Sequence, residues 1–350
     1  MRRIACYLYQ EGRDFSLPSA FDSIARHRLE APEGLVFIDE ATGARAANPN
    51  VFFAASPEDA EVFLFPYDLG PLINLLQPEP CAAFLAALPF FADREERHLF
   101  SDDGDIAAPL PLSVWLLKHS LLRSAGEPDA HLPFVFRPMY REDAATAPGC
   151  IAMPYTVPDW LLEEAPSFDW EALRYDCSFV GGFTNPVRKF ICASLEREPG
   201  LRFYNGGFEN LDLHKGVFTA RPFPSEETAR RRELFRRISK ASLIVLCPPG
   251  VGPQSQRLYE TMYLGRIPVL FTRKARYPLE HCIDYESFCF FIEEDELPAA
   301  GAVVRRILRD HAPEALRERC ILACKTWNAY FRRDVFFARL TGMVRQCLGV

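Results

Sequence analysis

Ser255, Arg257 and Glu260 follow closely on a loop that carries Pro248, Pro249, Gly250 and Gly252. A hydroxyl, a guanidinium and a carboxylate in that order suit a phosphorylated ligand that carries a sugar. Serine and arginine can hold phosphate oxygens, and a carboxylate one helical turn later can accept two ribose hydroxyls. Glycines let the backbone come close to such a ligand. A helix N-terminus adds free amides and a dipole that favours negative charge. The stretch is neither a Walker loop, since no Gly-Lys-Ser/Thr follows, nor the dinucleotide pattern G-x-G-x-x-G. A plainer reading exists: Arg257 and Glu260 are also an i, i+3 surface pair worth about 0.2–0.5 kcal/mol. Ser255 can equally bind a phosphate or cap its helix.

These residues need a strand before them and a helix beneath them. Leu243, Ile244, Val245 and Leu246 form an apolar run that suits a strand buried on both faces. Pro248 and Pro249 end it, because proline has no amide for a central strand. From Ser255 the pattern becomes helical: Leu258 and Met262 share a face that can meet a sheet, with Arg257 and Glu260 on another. Gly265 fits a helix stop, and Ile267 to Phe271 read as the next strand. The segment is thus a strand–loop–helix–strand crossover, whose helix N-terminus lies where open α/β sheets bind ligands.

Strands are expected at 3–9, 58–66, 134–141, 149–155, 177–182, 201–207 and 288–292, and helices at 82–91, 112–123, 187–198, 226–240, 296–310 and 313–325, with a terminal helix. Prolines 154, 158 and 166 mark a linker. The alternation predicts two sequential α/β halves. Their expected bounds are 1–165, 166–325 and a C-terminal helix at 326–350 that packs back toward the first.

The chain has 350 residues, 49% apolar and 25% charged, as in ordinary globular proteins. Its net charge of −7 argues against a nucleic-acid partner. Arginines do cluster in "RRRELFRR" at 230–237. This reads as an amphipathic helix with a basic outer face, and a surface for an anionic membrane or a polyanionic glycan is the second reading. The eleven cysteines form no framework and no CxxC, which implies reduced, buried thiols and a cytoplasmic location. The start reads as a first strand rather than a signal peptide, and no run of about 18 apolar residues offers a membrane span.

The order of motifs resembles the exostosin family of glycosyltransferases. "CPPGVGPQSQRLYETMYLGRIPVLF" at 247–271 is similar to that family's serine–arginine–glutamate segment. "YPLEHCIDYESFCFFIEEDEL" at 277–297 resembles its Pro-Phe-Glu, Asp-Trp, Phe-Ser segment, with Leu279 and Tyr285 in place of the usual aromatic and tryptophan. "SPEDAEVFLFPYDLG" at 56–70 and "CSFVGGFTNPVRKFICASL" at 177–195 resemble two earlier segments. A departure lies at 89–105, where Arg97 precedes His98 and the family has Gly-Arg-Asp-His.

The resemblance implies a GT-B fold, with two Rossmann-like domains facing a cleft and the donor nucleotide in the second. It implies inverting transfer of a sugar, of hexosyl or glycuronosyl type, from a nucleotide sugar, with UDP favoured, to a glycan or other hydroxyl acceptor. It points to a soluble, bacterial-type member in polysaccharide biosynthesis, with a peripheral membrane or an assembly complex as further partners. On this reading the leaving diphosphate is stabilised without metal or other cofactor by Arg257, Arg188 and Ser255 and by amides at Gly181, Gly182, Gly250 and Gly252. Glu260 binds the ribose. Asp102 and Asp103 are the candidate bases, although a solvated acidic turn is the better-favoured account of each, and His98 can be a core histidine instead. The alternative function is a non-catalytic nucleotide- or glycan-binding partner subunit of a glycan-synthesis complex.

Overall fold

The computed structural model describes residues 3–19, 36–38, 45–47, 51–102, 112, 114–118, 150–155, 157–209, 211–214, 217–220, 225–250 and 252–349. Contacts divide these residues into two compact units. One draws on Met1–Ala125, Glu142–Met153 and Arg332–Val350, the other on Pro154–Phe331.

In the first unit the described strands are β1 (Ile4–Leu8), β2 (Val36–Ile38), β3 (Arg45–Ala47), β4 (Val51–Phe53), β5 (Val62–Asp68), β6 (His98–Asp102), β7 (Trp115–Lys118) and β8 (Cys150–Ala152). Six of them form a parallel sheet in the order β4-β1-β5-β6-β7-β8. Helices α1 (Leu69–Leu76) and α2 (Pro78–Ala86) follow β5. The core is aromatic, built on Tyr9, Phe63, Phe65, Phe91 and Phe100. The terminal helix, Arg333–Leu348, belongs to this unit. Its Arg345 lies 3.8 Å from Glu61, whose other oxygen accepts from the amide of Ala5 at 3.0 Å.

Two expectations fail here. The helix expected at 112–123 gives way to strand β7, since "VWLL" is a short apolar run that fits a doubly buried strand as well as a helix. The helix expected at 82–91 starts earlier and stops at Ala86, because Pro78 supplies a favourable first position. The strand expected at 134–141 lies outside the described residues.

The second unit holds α3 (Asp159–Leu162), β9 (Tyr175–Gly182), α4 (Pro186–Glu196), β10 (Phe203–Phe208), the hairpin β11 (Leu211–His214) and β12 (Val217–Ala220), α5 (Ser225–Lys240), β13 (Ser242–Cys247), α6 (Gln256–Tyr263), β14 (Ile267–Leu270), β15 (Phe290–Phe291), α7 (Ala300–Asp310) and α8 (Pro313–Thr326). Its parallel sheet runs β10-β9-β13-β14-β15. The chain leaves β9 toward β10 on one side and returns to β13 on the other. The order therefore reverses between β9 and β13, and ligands of doubly wound sheets bind at the carboxyl ends of such a pair. Both units are Rossmann-like by strand order.

Local chemistry explains the helices that flank this point. In α5, Glu226 and Glu227 occupy the first turn and Arg237 and Lys240 the last, so each end complements the helix dipole. Glu226–Arg230 at 2.5 Å and Glu227–Arg231 at 2.7 Å add i, i+4 support. Helix α6 is buried from Leu258 through Tyr263, which corrects the expectation of an amphipathic helix with a polar outer face. Phe331 packs on Tyr259 and Trp327 on Tyr263, with ring centroids 5.2 and 4.8 Å apart. Gly265 ends the turn at φ +67°, a conformation that favours glycine, as expected for a helix stop. Among the described residues no helix is long and apolar enough to cross a membrane.

Candidate functional site

The site forms where the carboxyl ends of β9 and β13 lie side by side. Strand β13 stops at Cys247, and Pro248, Pro249 and Gly250 lead away from it. Two side chains from the start of α4 hold this loop. Arg188 donates from Nε to the Pro249 carbonyl at 2.9 Å, from Nη2 to that of Pro248 at 3.3 Å, and from Nη1 to that of Gly182 at 2.7 Å. Asn185 donates from Nδ2 to the carbonyls of Pro249, at 3.2 Å, and Gly250. Its Oδ1 caps α4 by accepting from the amide of Arg188 at 3.2 Å. Arg188 is therefore a brace between the two strand ends as well as a cation beside the loop. A Cβ at 250 would lie 3.2 Å from Arg188 Nη2, a tight approach to which the braced guanidinium would have to yield by a few tenths of an ångström.

Gly181 and Gly182 are the last two residues of β9, paired with Gly207 and Phe208, and not the turn expected after it. A Cβ at Gly181 would press on the Phe179 ring at 3.3 Å and lie in ordinary contact with Arg257 Nε at 3.8 Å. The Arg257 guanidinium rests over the Phe235 ring at 4.0 Å and donates to Glu260. It keeps a quarter of its side chain exposed, while that of Glu260 is 2% exposed. The pair is thus no surface i, i+3 contact. Burial pushes the Glu260 carboxyl above its ordinary value, and Arg257 opposes that shift. Breaking a buried pair from one side typically costs about 3–5 kcal/mol.

Ser255 occupies the N-cap position of α6, yet its hydroxyl makes no capping bond. The residue is 4% exposed, and Oγ has no hydrogen-bond partner. Of the two roles open to it, capping is the one the geometry removes. Thr184, which the sequence reading missed, also has a buried, unpartnered hydroxyl, as do Ser178 and Ser239 in the same unit. Thr184 Oγ1 lies 3.7 Å from the position of a Cβ on Gly250. Unsatisfied buried hydroxyls are rare in native folds and call for a reason. Gly252 and Gln254 are buried in the same loop, and Gln254 fixes it by donating to the carbonyl of Arg276 at 2.7 Å. Asn185 carried a legible signal, an Asx before a proline at the first helical position. Thr184 and Gln254 carried none, since their contacts span the loop.

The first-unit candidates fare differently. Asp102 is the last residue of β6, with Lys118 opposite it on β7. Asp103 lies outside the described residues. His98 is fully buried, its ring stacked on Phe63 at 4.9 Å and against Phe91 at 4.7 Å. Nδ1 faces the Arg94 carbonyl at 2.8 Å, which must accept, so Nδ1 carries the proton. Nε2 meets the Tyr9 hydroxyl at 2.8 Å. Burial lowers its pKa to about 4. It is a neutral core histidine.

Residues 218–307 match a family model described as the Exostosin GT47 domain. This segment of the chain is similar to the exostosin glycosyltransferases. The matched segment takes in α5, β13, α6 and β14, and with them Gly250, Gly252, Ser255, Arg257 and Glu260. A rice (Oryza sativa subsp. japonica) protein named as a probable glucuronosyltransferase is 28% identical over 112 residues, covering 30% of this chain and 25% of that protein. A second rice protein of the same name is 32% identical over 66 residues, covering 19% and 16%. The chain thus spans about a quarter or less of the length of these relatives. Among solved structures, a sucrose-phosphate synthase of Thermosynechococcus elongatus aligns over 92% of this chain and 88% of its own, at 12% identity and TM-score 0.47. A glycosyltransferase of Rickettsia africae aligns over 83% and 78%, at 9% identity and TM-score 0.43. Scores this low carry no weight by themselves, and the fold assignment rests on the strand orders. The match takes in two of the segments on which the motif resemblance rests, 247–271 and 277–297.

Proposed function

We propose that this exostosin relative is a glycosyltransferase that moves a sugar, hexosyl or glycuronosyl, from a UDP-sugar to a glycan hydroxyl with inversion at the anomeric carbon. The observation that carries the proposal is the buried, unpartnered Ser255 hydroxyl at a helix N-terminus, set between a glycine loop and the Arg257–Glu260 pair. On this reading the diphosphate lies over Gly250, held by Ser255, Thr184 and the exposed edge of Arg257. Glu260 accepts from the ribose, and its raised pKa makes that acceptance depend on pH. Arg188 shapes the loop and adds positive potential beneath the leaving group. The nucleophilic hydroxyl gives its proton to a first-unit carboxylate, Asp102 or Asp103. Cationic side chains and helix amides supply the electrostatic stabilisation, so turnover is expected to survive a chelator.

The test is release of nucleoside diphosphate from a panel of nucleotide sugars with glycan acceptors, with product anomers read by NMR. Release from a UDP-sugar with inverted product supports the reading. UDP binding without turnover on any donor would leave the chain as a nucleotide-binding partner subunit, and absence of UDP binding would end the proposal.

A further inference from the structure

A second recess lies at the other edge of the same sheet. It has a volume of about 530 Å³ and is walled by the residues before β9, the start of that strand, Tyr204 of β10 and the last two turns of α5. That volume falls within the ~300–1,000 Å³ of ordinary ligand sites. The donor loops follow Gly182 and Cys247, whereas this recess is lined by Arg174 and Tyr175 and by Ala241. The eight residues of β9 separate the two ends, roughly 23 Å at the usual rise per residue. A ligand here would not touch the donor site.

The lining is cationic and aromatic. Arg174, Arg236, Arg237 and Lys240 contribute positive charge, and Glu233 is the one carboxylate among the lining residues. Arg236 is engaged by Glu233 and Glu164, and Lys240 by Glu164 at 2.8 Å. Arg174 and Arg237 have no ion-pair partner among the described residues, and both are exposed. Beside them Tyr175 and Tyr204 stand as a pair, with ring centroids 5.2 Å apart and planes at 60°. Two uncommitted guanidinium groups next to paired aromatic rings match a ligand that has both carboxylates and the apolar face of a sugar ring. A compact phosphate would use the arginines and leave the rings idle. The basic run at 230–237 thereby acquires a purpose that the donor site does not give it, since Arg236 and Arg237 lie on the end of α5 that faces this recess.

We propose that this recess is an auxiliary binding site for an acidic glycan, a stretch of uronic-acid-containing chain held about a strand's length from the donor loops. Such a site keeps a polymeric acceptor attached to the enzyme between transfers and raises its effective concentration. The inference rests on the reading of the chain as a glycan-modifying enzyme, but not on the donor site being correct in detail.

Binding is measured on the full chain without donor, using a galacturonic acid hexamer, an uncharged glucose hexamer and inorganic tripolyphosphate as probes. The hexauronate is expected to bind, and the uncharged hexamer to bind far more weakly. Arg174→Gln with Arg237→Gln should weaken hexauronate binding by about tenfold or more, the loss of charge-assisted contacts. Tyr204→Ala should weaken it as well while leaving tripolyphosphate unaffected. UDP binding, measured on the same proteins, should not change in any of these variants. Failure of wild type to bind the hexauronate, or undiminished affinity in the double variant, overturns the proposal. Equal binding of tripolyphosphate with no effect of Tyr204→Ala makes it an anion site and overturns the glycan assignment. Loss of UDP binding in wild type alone would count against the donor site and leave this one standing.

Discussion

Ser255 offers a direct test of the donor loop because its hydroxyl has no job in the folded chain. A buried hydroxyl without a partner costs about 1–3 kcal/mol, so Ser255→Ala should leave thermal stability unchanged or slightly raised. If the hydroxyl meets a phosphate oxygen, the same change should weaken UDP binding about tenfold, the value of a hydrogen bond to a charged group. Calorimetry showing unchanged affinity would remove Ser255 from the site. Glu260 adds a pH signature. Burial raises its carboxyl above 4.5, so in the window just above that value the unfolded chain is ionised while the folded one is protonated. Folding there takes up a proton, and this group's contribution to stability falls as pH rises across the window. Protonation also removes an acceptor from the ribose. UDP affinity should therefore drop as pH is lowered through the same window, and Glu260→Gln should be weak throughout and lack that dependence. A wild-type affinity that is flat in pH would exclude the carboxylate from the ribose contact.

The elements around the site were legible where sequence and environment agree. Strand β13 is an apolar run closed by two prolines, α6 starts at a serine and ends before a glycine, and α5 has acids at one end and bases at the other. Each of those signals is local. What stayed hidden depends on contacts across the chain. The Asx-Pro signal at 185–186 announces a helix cap but not that Asn185 and Arg188 brace a loop some sixty positions away, and nothing in "RLYETMY" says that the outer face of α6 is covered by residues near 327–331. The run "VWLL" misled because apolar periodicity in four residues does not separate strand from helix. His98 shows the same limit, since only its stacking between Phe63 and Phe91 settles that it is a core residue. Its pKa, lowered from 6.5 to about 4, gives strand β6 a measurable consequence. Between those values the unfolded chain binds a proton that the folded chain does not, so stability rises with pH through that interval and is lost as pH falls through it. The full effect is about 3 kcal/mol. Denaturant unfolding of wild type and His98→Phe between pH 4 and pH 7 should show a steeper acid loss for wild type; parallel curves would mean that the ring is not held neutral in the core.

At the scale of the whole molecule, each unit owns a parallel sheet, and the described residues of the candidate donor site lie in the second. Among the described residues, every group named as bracing or lining it, from Gly181 to Glu260, belongs to Pro154–Phe331. The proposed base belongs to the other unit, at the carboxyl end of β6. This division makes a sharp expectation about which properties a single change can alter. Asp102→Asn and Asp103→Asn keep the side-chain shape and remove the proton acceptor. Both positions fall outside Pro154–Phe331, so UDP affinity should remain at the wild-type value in both. If one of them is the base, single-turnover transfer should fall by about 10²–10⁴-fold in that variant, and the loss should appear in the rate at saturating donor. Binding and transfer must be measured side by side, since a weakened donor site would also slow turnover at low donor concentration. Near wild-type rates in both variants would show the pair to be a solvated turn. The base would then be sought at Asp68, the last residue of β5. That strand neighbours β6 in the parallel sheet, so its carboxyl end opens on the same edge.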